Sequence, residues 1–598
     1  MSLEESPITC NLFRAKSSQT CGGCGEVFNF EMEYQNKEWS IHKTSCKPYK
    51  IVFNEKFGRC LVATRNLKPG EIIFGENATI VGPKQGCRPC CLKCFTSLDS
   101  VASLFRCPGC NFPFCQEQCA KSPEHEAECV VLSRARSCIS INDMSKSHPV
   151  YQCITPLRGI LLKNTQPKLF EAFSGLVHHN DLRRQTQMWR IYQVNIVQFL
   201  RNVCGLANQF SEEEIHAACG VLDVNAFEIR LPGSKRQQIL GLFPIASMMS
   251  HRCVSNTHHV IDSKTYEMTV RASVPIKKGE QLFTTYTLPL DGTNDRRSVL
   301  RQSKMFECDC PRCSDPTECL TFLSALRCPR CPIGIMLPIR PLEENETEWQ
   351  CSPCSYQLDA AVVTQLIDQL KEEFENIGPK DVEKLEEFLS RHASSLHPNH
   401  FLFTSVRQSL SQLYGRDERY LLNTLTMEQL ERKVSICQQL LSVADVVEPG
   451  LTRLRGVTLY ELYAPMLLLA KRTYEAGHCT LEEFKERIVA VEAILSEATK
   501  ILLLEDPAST EGAACAKKKK NYNTYTMGGI DFISGRGKDG QEFAHIQTHK
   551  RKKKMFCLFY NLIFSSSPTA PSDAFPLVFY LCFLYRESAF VNKKKGKQ

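Results

Sequence analysis

Three stretches of the chain decide its fold: MMSHRCVSNT at residues 248–257, GEQLFTTY at 279–286 and MFECDCPRC at 305–313. The third stretch carries three closely spaced thiols: Cys308, Cys310 and Cys313. These thiols cannot complete a tetrahedral zinc site alone, because zinc takes four nitrogen or sulfur ligands. Cys253 in the first stretch is the natural fourth ligand. A shared zinc would hold Phe306 against the region of His251 and Tyr286 and so close a pocket built from distant parts of the chain.

The cysteine usage of the whole chain favours zinc over disulfides. There are 32 cysteines in 598 residues, and pairs separated by two residues recur. The first residues, MSLEESPITCNLF, are acidic and lack an apolar core, so we expect no secretory signal. In a chain without such a signal, repeated pairs of this kind indicate metal binding.

The net charge of +8 is concentrated at one end of the chain. After Gly512 there are 16 Lys and Arg against 5 Asp and Glu, which leaves the first 512 residues slightly negative. A near-neutral body removes the support that overall charge would give to nucleic-acid binding. No uninterrupted apolar run reaches the roughly 18–20 residues that span a bilayer, so we expect no membrane partner.

Residues 91–129 contain eight ligands at the spacing of a double zinc site. The pairs are Cys91 with Cys94, Cys107 with Cys110, Cys115 with Cys119, and His125 with Cys129. Eight such ligands predict two four-coordinate sites. Cys87 and Cys90 compete in register with Cys91, which leaves the first pair open. The spacing resembles the MYND finger, in which ligand pairs interleave. The resemblance implies one zinc on Cys91, Cys94, Cys115 and Cys119 and another on Cys107, Cys110, His125 and Cys129.

The segment before the finger has the alternation of β-strands. In FGRCLVATRNLKPGEIIFGENATIVGP (57–83), two alternating runs flank a Pro69-Gly70 turn and predict a hairpin. This segment resembles the first strands of a SET domain, and a finger inserted after them is the arrangement of the SET and MYND domain (SMYD) family. The wording MSHRCVSNT resembles the arthropod-specific SmydA branch (insect msta-like). The resemblance covers about residues 20–510.

The resemblance implies a fold and a cofactor. The fold class is α+β: a SET-type β fold interrupted by a MYND zinc finger and followed by a zinc ribbon-like site and an α-helical, tetratricopeptide-like lobe. We also expect the strands around 61–74 to share one core with residues 243–286. The implied cofactors are S-adenosylmethionine and structural zinc. Tyr286 carries the hydroxyl of the lysine channel in this reading, and the cofactor-binding positions are Arg59, Asn225, Ser250, His251 and Phe306.

Two positions depart from the family pattern. Most SET domains have glycine-x-glycine at the first strand, where this chain has Gly58-Arg59-Cys60, and a cysteine there narrows the cofactor site. The common asparagine-histidine pair is here Ser250-His251, and serine offers one donor fewer. Both departures weaken cofactor binding in the methyltransferase interpretation.

Two further cysteine-rich segments predict zinc modules. Cys328, Cys331, Cys351 and Cys354 form two x2 pairs, and such a ribbon-like four-thiol site is structural because it leaves no open coordination position. Upstream, four ligands look like the head and tail of a second finger without its middle: Cys21, Cys24, His42 and Cys46. These four either collapse onto one zinc or bind none.

The predicted organisation runs through eight segments. They are a degenerate MYND-like finger at 1–50, the N-terminal part of the SET domain at 51–86, the MYND finger at 87–130, the SET insert and core at 131–290, a post-SET zinc segment at 291–318, the ribbon at 319–358, the helical lobe at 359–512 and a basic, unstructured tail at 513–598. Helical periodicity supports the lobe, and basic runs without amphipathic period support the disorder of the tail.

The sequence leaves three alternative functions open. The first is a protein-lysine (histone or non-histone) N-methyltransferase. The second is a catalytically weak or inactive SET-fold adaptor that acts as a transcriptional or interaction scaffold and grips proline-rich peptides through the MYND finger. The third, nucleic-acid binding, is opposed by the charge of the body, and we expect no direct sequence-specific contact with nucleic acid. We expect the protein in the nucleus and the cytoplasm.

Overall fold

A computed structural model describes residues 47–232, 239–343, 347–509 and 512, and the backbone of two strands at 531–536 and 542–547. These residues fall into two units, one made of Met1–Ser409 with Gln439–Arg455 and the other of Leu410–Gln438 with Gly456–Gln598. The predicted N-terminal half-finger, from Cys21 to Cys46, lies outside the described residues.

The first four strands precede the finger. They are β1 (Tyr49–Asn54), β2 (Gly58–Ala63), β3 (Ile72–Asn77) and β4 (Ile80–Pro83). β1 and β2 form an antiparallel hairpin, whose turn is fixed by the Asn54 side chain and by Gly58, which has a φ of +66°. A left-handed φ of this kind suits glycine, because it has no Cβ to clash.

The hairpin predicted around Pro69-Gly70 is wrong, although both of its strands exist. β2 pairs with β1, and β3 pairs with a strand almost 200 residues later in the chain. The linker between them is itself bonded to that later segment: Leu67 N donates to Ile276 O at 2.8 Å, and Gly70 N donates to Ala272 O at 2.8 Å. The turn residues therefore close a long-range pairing instead of a local one.

The finger follows β4 and contains the short strands β5 (Phe105–Arg106) and β6 (Pro113–Phe114). Two helices complete it, Glu117–Ala120 and Pro123–Leu132. Its buried residues, among them Leu92, Phe112 and Phe114, belong to the same core as Tyr151 and Leu157 of the next segment. The finger therefore shares a hydrophobic core with the segment that follows it.

The segment after the finger is helical. Its α- and π-helices of six residues or more are Ile154–Thr165, Pro167–Ser174, Gln187–Tyr192, the π-helix Gln193–Val203, and Glu212–Asn225. The last begins with a capping box in which the Ser211 and Glu214 side chains bond each other's backbone N–H groups, and it ends at Asn225. This ending places Asn225 at the edge of the following sheet.

The core after this helical segment is built from short strands around one apolar cluster. These strands are β7 (Phe227–Ile229), β8 (Ile239–Leu242), β9 (Ser250–His251), β10 (Thr257–Ile261), β11 (Glu267–Ala272) and β12 (Phe283–Thr284). The sheets are ordered β10-β11-β3 and β4-β8-β7, and β9 lies parallel to β12. Leu61 and Phe74 are buried in one cluster with Phe243, Met249 and Leu282. The prediction of one core shared by the segments before and after the finger is confirmed.

The chain then passes through the helices Thr293–Lys304 and Pro311–Ser314 into a four-stranded antiparallel sheet. Its strands are β13 (Leu326–Arg327), β14 (Ile335–Pro338), β15 (Trp349–Cys351) and β16 (Gln357–Leu358). This sheet carries the predicted ribbon.

The C-terminal lobe is helical, as predicted. Its helices are Ala360–Asn376, Val382–Arg391, Phe401–Leu413, Met427–Val447, Arg453–Glu475 and Leu481–Leu502. In the described ranges, no helix combines the length and apolar character that crossing a bilayer requires. Beyond Gly512, where we predicted a largely unstructured tail, the described backbone forms an antiparallel hairpin of β17 (Asp531–Arg536) and β18 (Glu542–Gln547). These two strands are regular structure within the tail, and the rest of it lies outside the described residues, so the prediction for the tail as a whole stays a prediction.

Candidate active site

Four groups of side chains are gathered as zinc ligands would be. In each group the ligand atoms lie within 4.8 Å of one another, and the groups are Cys91, Cys94, Cys115 and Cys119; Cys107, Cys110, His125 and Cys129; Cys253, Cys308, Cys310 and Cys313; and Cys328, Cys331, Cys351 and Cys354. The first group contains Cys91 and neither Cys87 nor Cys90. The sequence grouped the ligands in the same way.

The spacing of the sulfurs fits a tetrahedral zinc ion. Sulfur–sulfur distances of 3.5–3.9 Å recur across the four groups. Zinc–sulfur bonds of about 2.3 Å in tetrahedral geometry place two sulfurs about 3.8 Å apart. A disulfide would bring them to about 2.05 Å. The four groups are therefore suited to zinc, and four protein ligands leave no position open for substrate.

Buried cations support the group around Cys253. Arg296, whose side chain has no solvent exposure, donates from Nε to Cys253 Sγ at 3.3 Å and from Nη2 to Cys313 Sγ at 3.6 Å. Donors aimed at sulfur require the sulfur to accept, as a thiolate does. Zinc with four thiolates carries a net charge of −2, so a guanidinium beside it offsets part of that charge.

A second buried arginine, Arg312, lies next to Arg296, and both bind Glu318. Glu318 Oε2 accepts from Arg296 Nη1 at 2.8 Å and from Arg312 Nη2 at 3.0 Å, and all three side chains are buried. Burial works to raise the pKa of Glu318, but the two arginines hold it below its ordinary value. The three residues carry a net charge of +1 next to a site that is negative when zinc is bound. The donor set and its surroundings thus fit the metal.

The finger has an equivalent support around His125. Its Nε2 lies 3.4 Å from Cys110 Sγ within the ligand group, and its Nδ1 lies 2.9 Å from Glu128 Oε1. A carboxylate on the second ring nitrogen fixes the tautomer and orientation of a zinc-bound histidine. Glu128 is held in turn by Arg158 Nε at 2.7 Å, and Arg158 also donates to Val81 O at 2.6 Å. This chain of contacts ties the finger to β4.

Tyr286 lies directly beside the third ligand group. Its hydroxyl donates to Met249 O at 2.5 Å, and its backbone N–H donates to His251 Nδ1 at 3.0 Å. The ring centroid of His251 is 5.2 Å from that of Tyr286 and 5.9 Å from that of Phe306. Burial raises the pKa of Tyr286 above its ordinary value, so the phenol is neutral at physiological pH. Three segments distant in sequence meet at this tyrosine.

His251 connects Tyr286 to the metal ligands. Because its Nδ1 accepts from a backbone N–H, the proton of a neutral ring is on Nε2, which lies 3.3 Å from Cys253 Sγ. His251 therefore donates to the thiolate on one side and orients the backbone of Tyr286 on the other. A shift of the zinc ligands would be transmitted to the tyrosine through this ring.

Arg59 and Asn225 meet a different part of the chain. Arg59 is exposed, and its Nη2 donates to Gly175 O. Asn225 Nδ2 donates to Val177 O at 2.8 Å and to Val221 O at 2.9 Å. Both side chains are thus held by the loop that follows the helix Pro167–Ser174.

Ser250 and Cys60 are both buried. Ser250 Oγ accepts from Gln281 Nε2 at 2.7 Å, so this serine is satisfied by the protein itself. The side chain of Cys60 is only 1% exposed, and burial raises the pKa of its thiol. Cys60 is therefore a packed thiol of β2 and not a reactive one.

One lysine, which the sequence did not single out, joins the two groups of site residues. Lys304 Nζ donates to Val224 O at 2.7 Å and to Asp223 O at 3.1 Å, and it lies 5.7 Å from the ring centroid of Tyr286. It connects the end of the helix that carries Asn225 with Tyr286. Its sequence context, SKMFEC, gave no sign of this, because a lysine at the end of a polar helix is usually solvated.

Comparison with known proteins identifies relatives of this chain that carry SET domains. A family model of the SET domain matches residues 58–287. SmydA-8 isoform A of Drosophila melanogaster, a SET domain-containing protein, is 32% identical over 306 residues, which cover 50% of this chain and 63% of that protein. Human SMYD3, a histone-lysine N-methyltransferase, is 26% identical over 284 residues, 45% of this chain and 62% of that protein. The chain thus spans less than two thirds of either relative.

The chain was also matched to a solved structure, the SET domain of LSMT bound to lysine and AdoHcy. The matched region covers 82% of this chain and 91% of the LSMT chain. Its sequence identity is 12% and its TM-score is 0.24, so this likeness carries no argument about the present site.

Proposed function

We propose that this chain, a SET domain protein related to the SMYD family through its SmydA branch, is an S-adenosylmethionine-dependent protein-lysine N-methyltransferase. The observation that carries the proposal is the meeting of Tyr286, His251 and Phe306 beside a group of four thiols. The relatives named as histone-lysine methyltransferases support a lysine in a protein, of a histone or another, as the substrate class.

The side chains of the site divide into two roles. Arg59, Asn225, Ser250, His251 and Phe306 are the residues that would hold the cofactor. S-adenosylmethionine, when bound, supplies a methyl group attached to a sulfonium and so open to attack by an amine. The zinc groups act as scaffold, since each metal is saturated by protein ligands.

Tyr286 would position the substrate amine. Its hydroxyl proton is engaged with Met249 O, so the lone pairs of its oxygen are left to accept a hydrogen bond from an amine N–H. Attack requires the uncharged amine, and burial favours that form because it disfavours the ammonium. Alignment of the two reactants in a site that excludes water contributes most of the rate in such a displacement.

The test compares two tyrosine variants of the full chain. With S-adenosylmethionine labelled in the methyl group and histones as the acceptor, Tyr286→Phe is expected to lose about 10²-fold or more of the transfer rate while cofactor affinity changes little, since one positioned hydroxyl is removed. Tyr356→Phe, a change in the ribbon where the ring contacts Arg330, serves as the control. Equal transfer by wild type and Tyr286→Phe would contradict the assignment.

The partner and the location are parts of the same proposal. The MYND finger, with its two zinc groups, would bind proline-rich peptides, and the protein would be found in the nucleus and the cytoplasm. Titration of a fluorescent proline-rich peptide, with the Cys107→Ser variant as the comparison, tests the first point. Cell fractionation tests the second.

A further inference from the structure

Lys304 is the last residue of the helix Thr293–Lys304, and its half-buried side chain points into the candidate site. Nζ is fixed by two backbone carbonyls, those of Asp223 and Val224, at 3.1 and 2.7 Å. The same atom lies 5.7 Å from the ring centroid of Tyr286. The backbone of Lys304 is close to the third ligand group, because Cys308 follows four residues later in the chain. A lysine amine therefore stands at the tyrosine to which the proposed function brings a substrate lysine.

No acidic side chain pairs with this amine in the described part of the chain, although two backbone carbonyls and the face of the Tyr286 ring contact it. The carboxylate of Asp223, whose charge acts on Lys304, accepts from Arg183 Nη2 at 2.6 Å and from the Tyr192 hydroxyl at 3.0 Å. Lys304 forms no ion pair with any residue in the described part of the chain. Burial lowers the pKa of Lys304 to about 8, a shift that the charge of Asp223 partly opposes and that of Lys84 adds to. About a tenth of the amine is thus uncharged at pH 7, and the uncharged fraction grows as the pH rises.

The hydrogen bonds leave this amine with a free lone pair. A neutral amine has two N–H bonds and one lone pair, and the carbonyls of Asp223 and Val224 account for both N–H bonds. The lone pair then has no hydrogen to accept from those two partners, because carbonyl oxygens only accept. A nitrogen that accepts a methyl group must be held in position, must be neutral and must have a lone pair that is not engaged in a hydrogen bond.

We propose that Lys304 is a methyl acceptor of its own chain, with its ε-amine in the position of a substrate lysine. The inference rests on the proposed function, because it uses the same cofactor and the same tyrosine. In the step, the neutral Nζ attacks the methyl carbon, a C–N bond forms, and the C–S bond breaks with its electron pair left on sulfur. S-adenosylhomocysteine and a methylated, positively charged Lys304 result, and the proton that made the amine an ammonium has been released to solvent beforehand.

The experiment uses the full chain with S-adenosylmethionine carrying a deuterated methyl group. Digestion with a protease that cleaves after glutamate, followed by tandem mass spectrometry, locates the label. We expect it on Lys304, at a rate per molecule that does not depend on protein concentration, since donor site and acceptor belong to one chain. The rate should rise about tenfold from pH 7 to pH 9, as the neutral fraction does for a pKa of about 8.

Three variants make the result specific. Lys304→Arg should remove the label from this peptide, and Tyr286→Phe should reduce it at least tenfold although the lysine is still present. Lys278→Arg, a change at an exposed turn, should leave it unaltered. Equal label on Lys304 in wild type and in Tyr286→Phe would show spontaneous methylation and overturn the inference.

The outcomes separate this inference from the proposed function. If histone lysines are methylated while Lys304 stays unmodified, the inference fails and the methyltransferase proposal stands. Binding of S-adenosylmethionine without label on any lysine also overturns the inference. If the cofactor does not bind at all, as a parallel titration would reveal, both fail.

Discussion

Arg296 should decide whether the zinc group next to Tyr286 stays intact. Its guanidinium is fully buried and donates to Cys253 Sγ, Cys313 Sγ and Glu318. The change Arg296→Met keeps much of the volume and removes every one of these bonds. Loss of one partner from a buried charge pair costs about 3–5 kcal/mol, because the other charge is left uncompensated. Glu318 would then rely on Arg312 alone, and the thiolates would lose their nearest cation.

The measurement is the zinc content after dialysis against a chelator, together with the thermal midpoint. We expect Arg296→Met to lose one zinc per chain relative to wild type and to melt at a lower temperature. The matched control is Arg301→Met on the same helix, whose side chain is 45% exposed and pairs with the exposed Glu307. Surface pairs contribute about 0–1 kcal/mol, so the control should behave as wild type. Equal zinc content and equal midpoints in the two variants would refute the idea that Arg296 supports the metal.

The remaining predictions concern the finger, the ribbon and the cofactor site. Glu128→Gln removes the charge that orients His125, so the affinity of the finger for zinc, measured by competition with a chelator, should fall about 10–100-fold. Glu126→Gln, a change at an exposed position of the same helix, should leave that affinity unchanged. An unchanged affinity in Glu128→Gln would count against the role of that carboxylate. Gly334→Ala should cause the ribbon to lose its zinc, because the added Cβ would overlap the sulfurs of Cys331 and Cys351. In the control Gly378→Ala, the nearest atom to the added Cβ is Asp381 Cβ at 3.8 Å, so this variant should retain all its metal. Full zinc occupancy in Gly334→Ala would disprove this packing. Cys60→Gly should tighten binding of S-adenosylmethionine in a calorimetric titration, since it removes a buried side chain from β2, next to Arg59. Weaker binding would show that Cys60 supports the site.

The zinc groups could be predicted from sequence because ligand spacing is largely local. The pairs around Cys107 and Cys328 each lie within a few residues, and only Cys253 had to be brought from a distance. The strands β2 and β3 were predicted for a similar reason, since each segment shows apolar alternation of its own. The pairing of these strands was not predicted correctly, because the partner of β3 is β11. The local sequence around Pro69 contains no information about a strand so far along the chain.

Buried charge was the second feature that the sequence concealed. The helix TNDRRSVLRQSK (293–304) has the composition of an exposed helix, yet Arg296 and Arg297 are buried and Lys304 enters the candidate site. A sequence pattern assigns charged side chains to solvent, because burial of a charge is costly without a partner. The partners here, Glu318 and the carbonyls of Asp223 and Val224, lie on other segments, so only the fold brings them together.

The central claim is that this site binds S-adenosylmethionine for transfer to lysine, and calorimetric titration of that cofactor into the full chain tests it most directly. The account predicts saturable binding at one site with a Kd below about 1 mM, retained in Tyr286→Phe and tighter in Cys60→Gly. Absence of binding up to about 1 mM in both wild type and Cys60→Gly would contradict it.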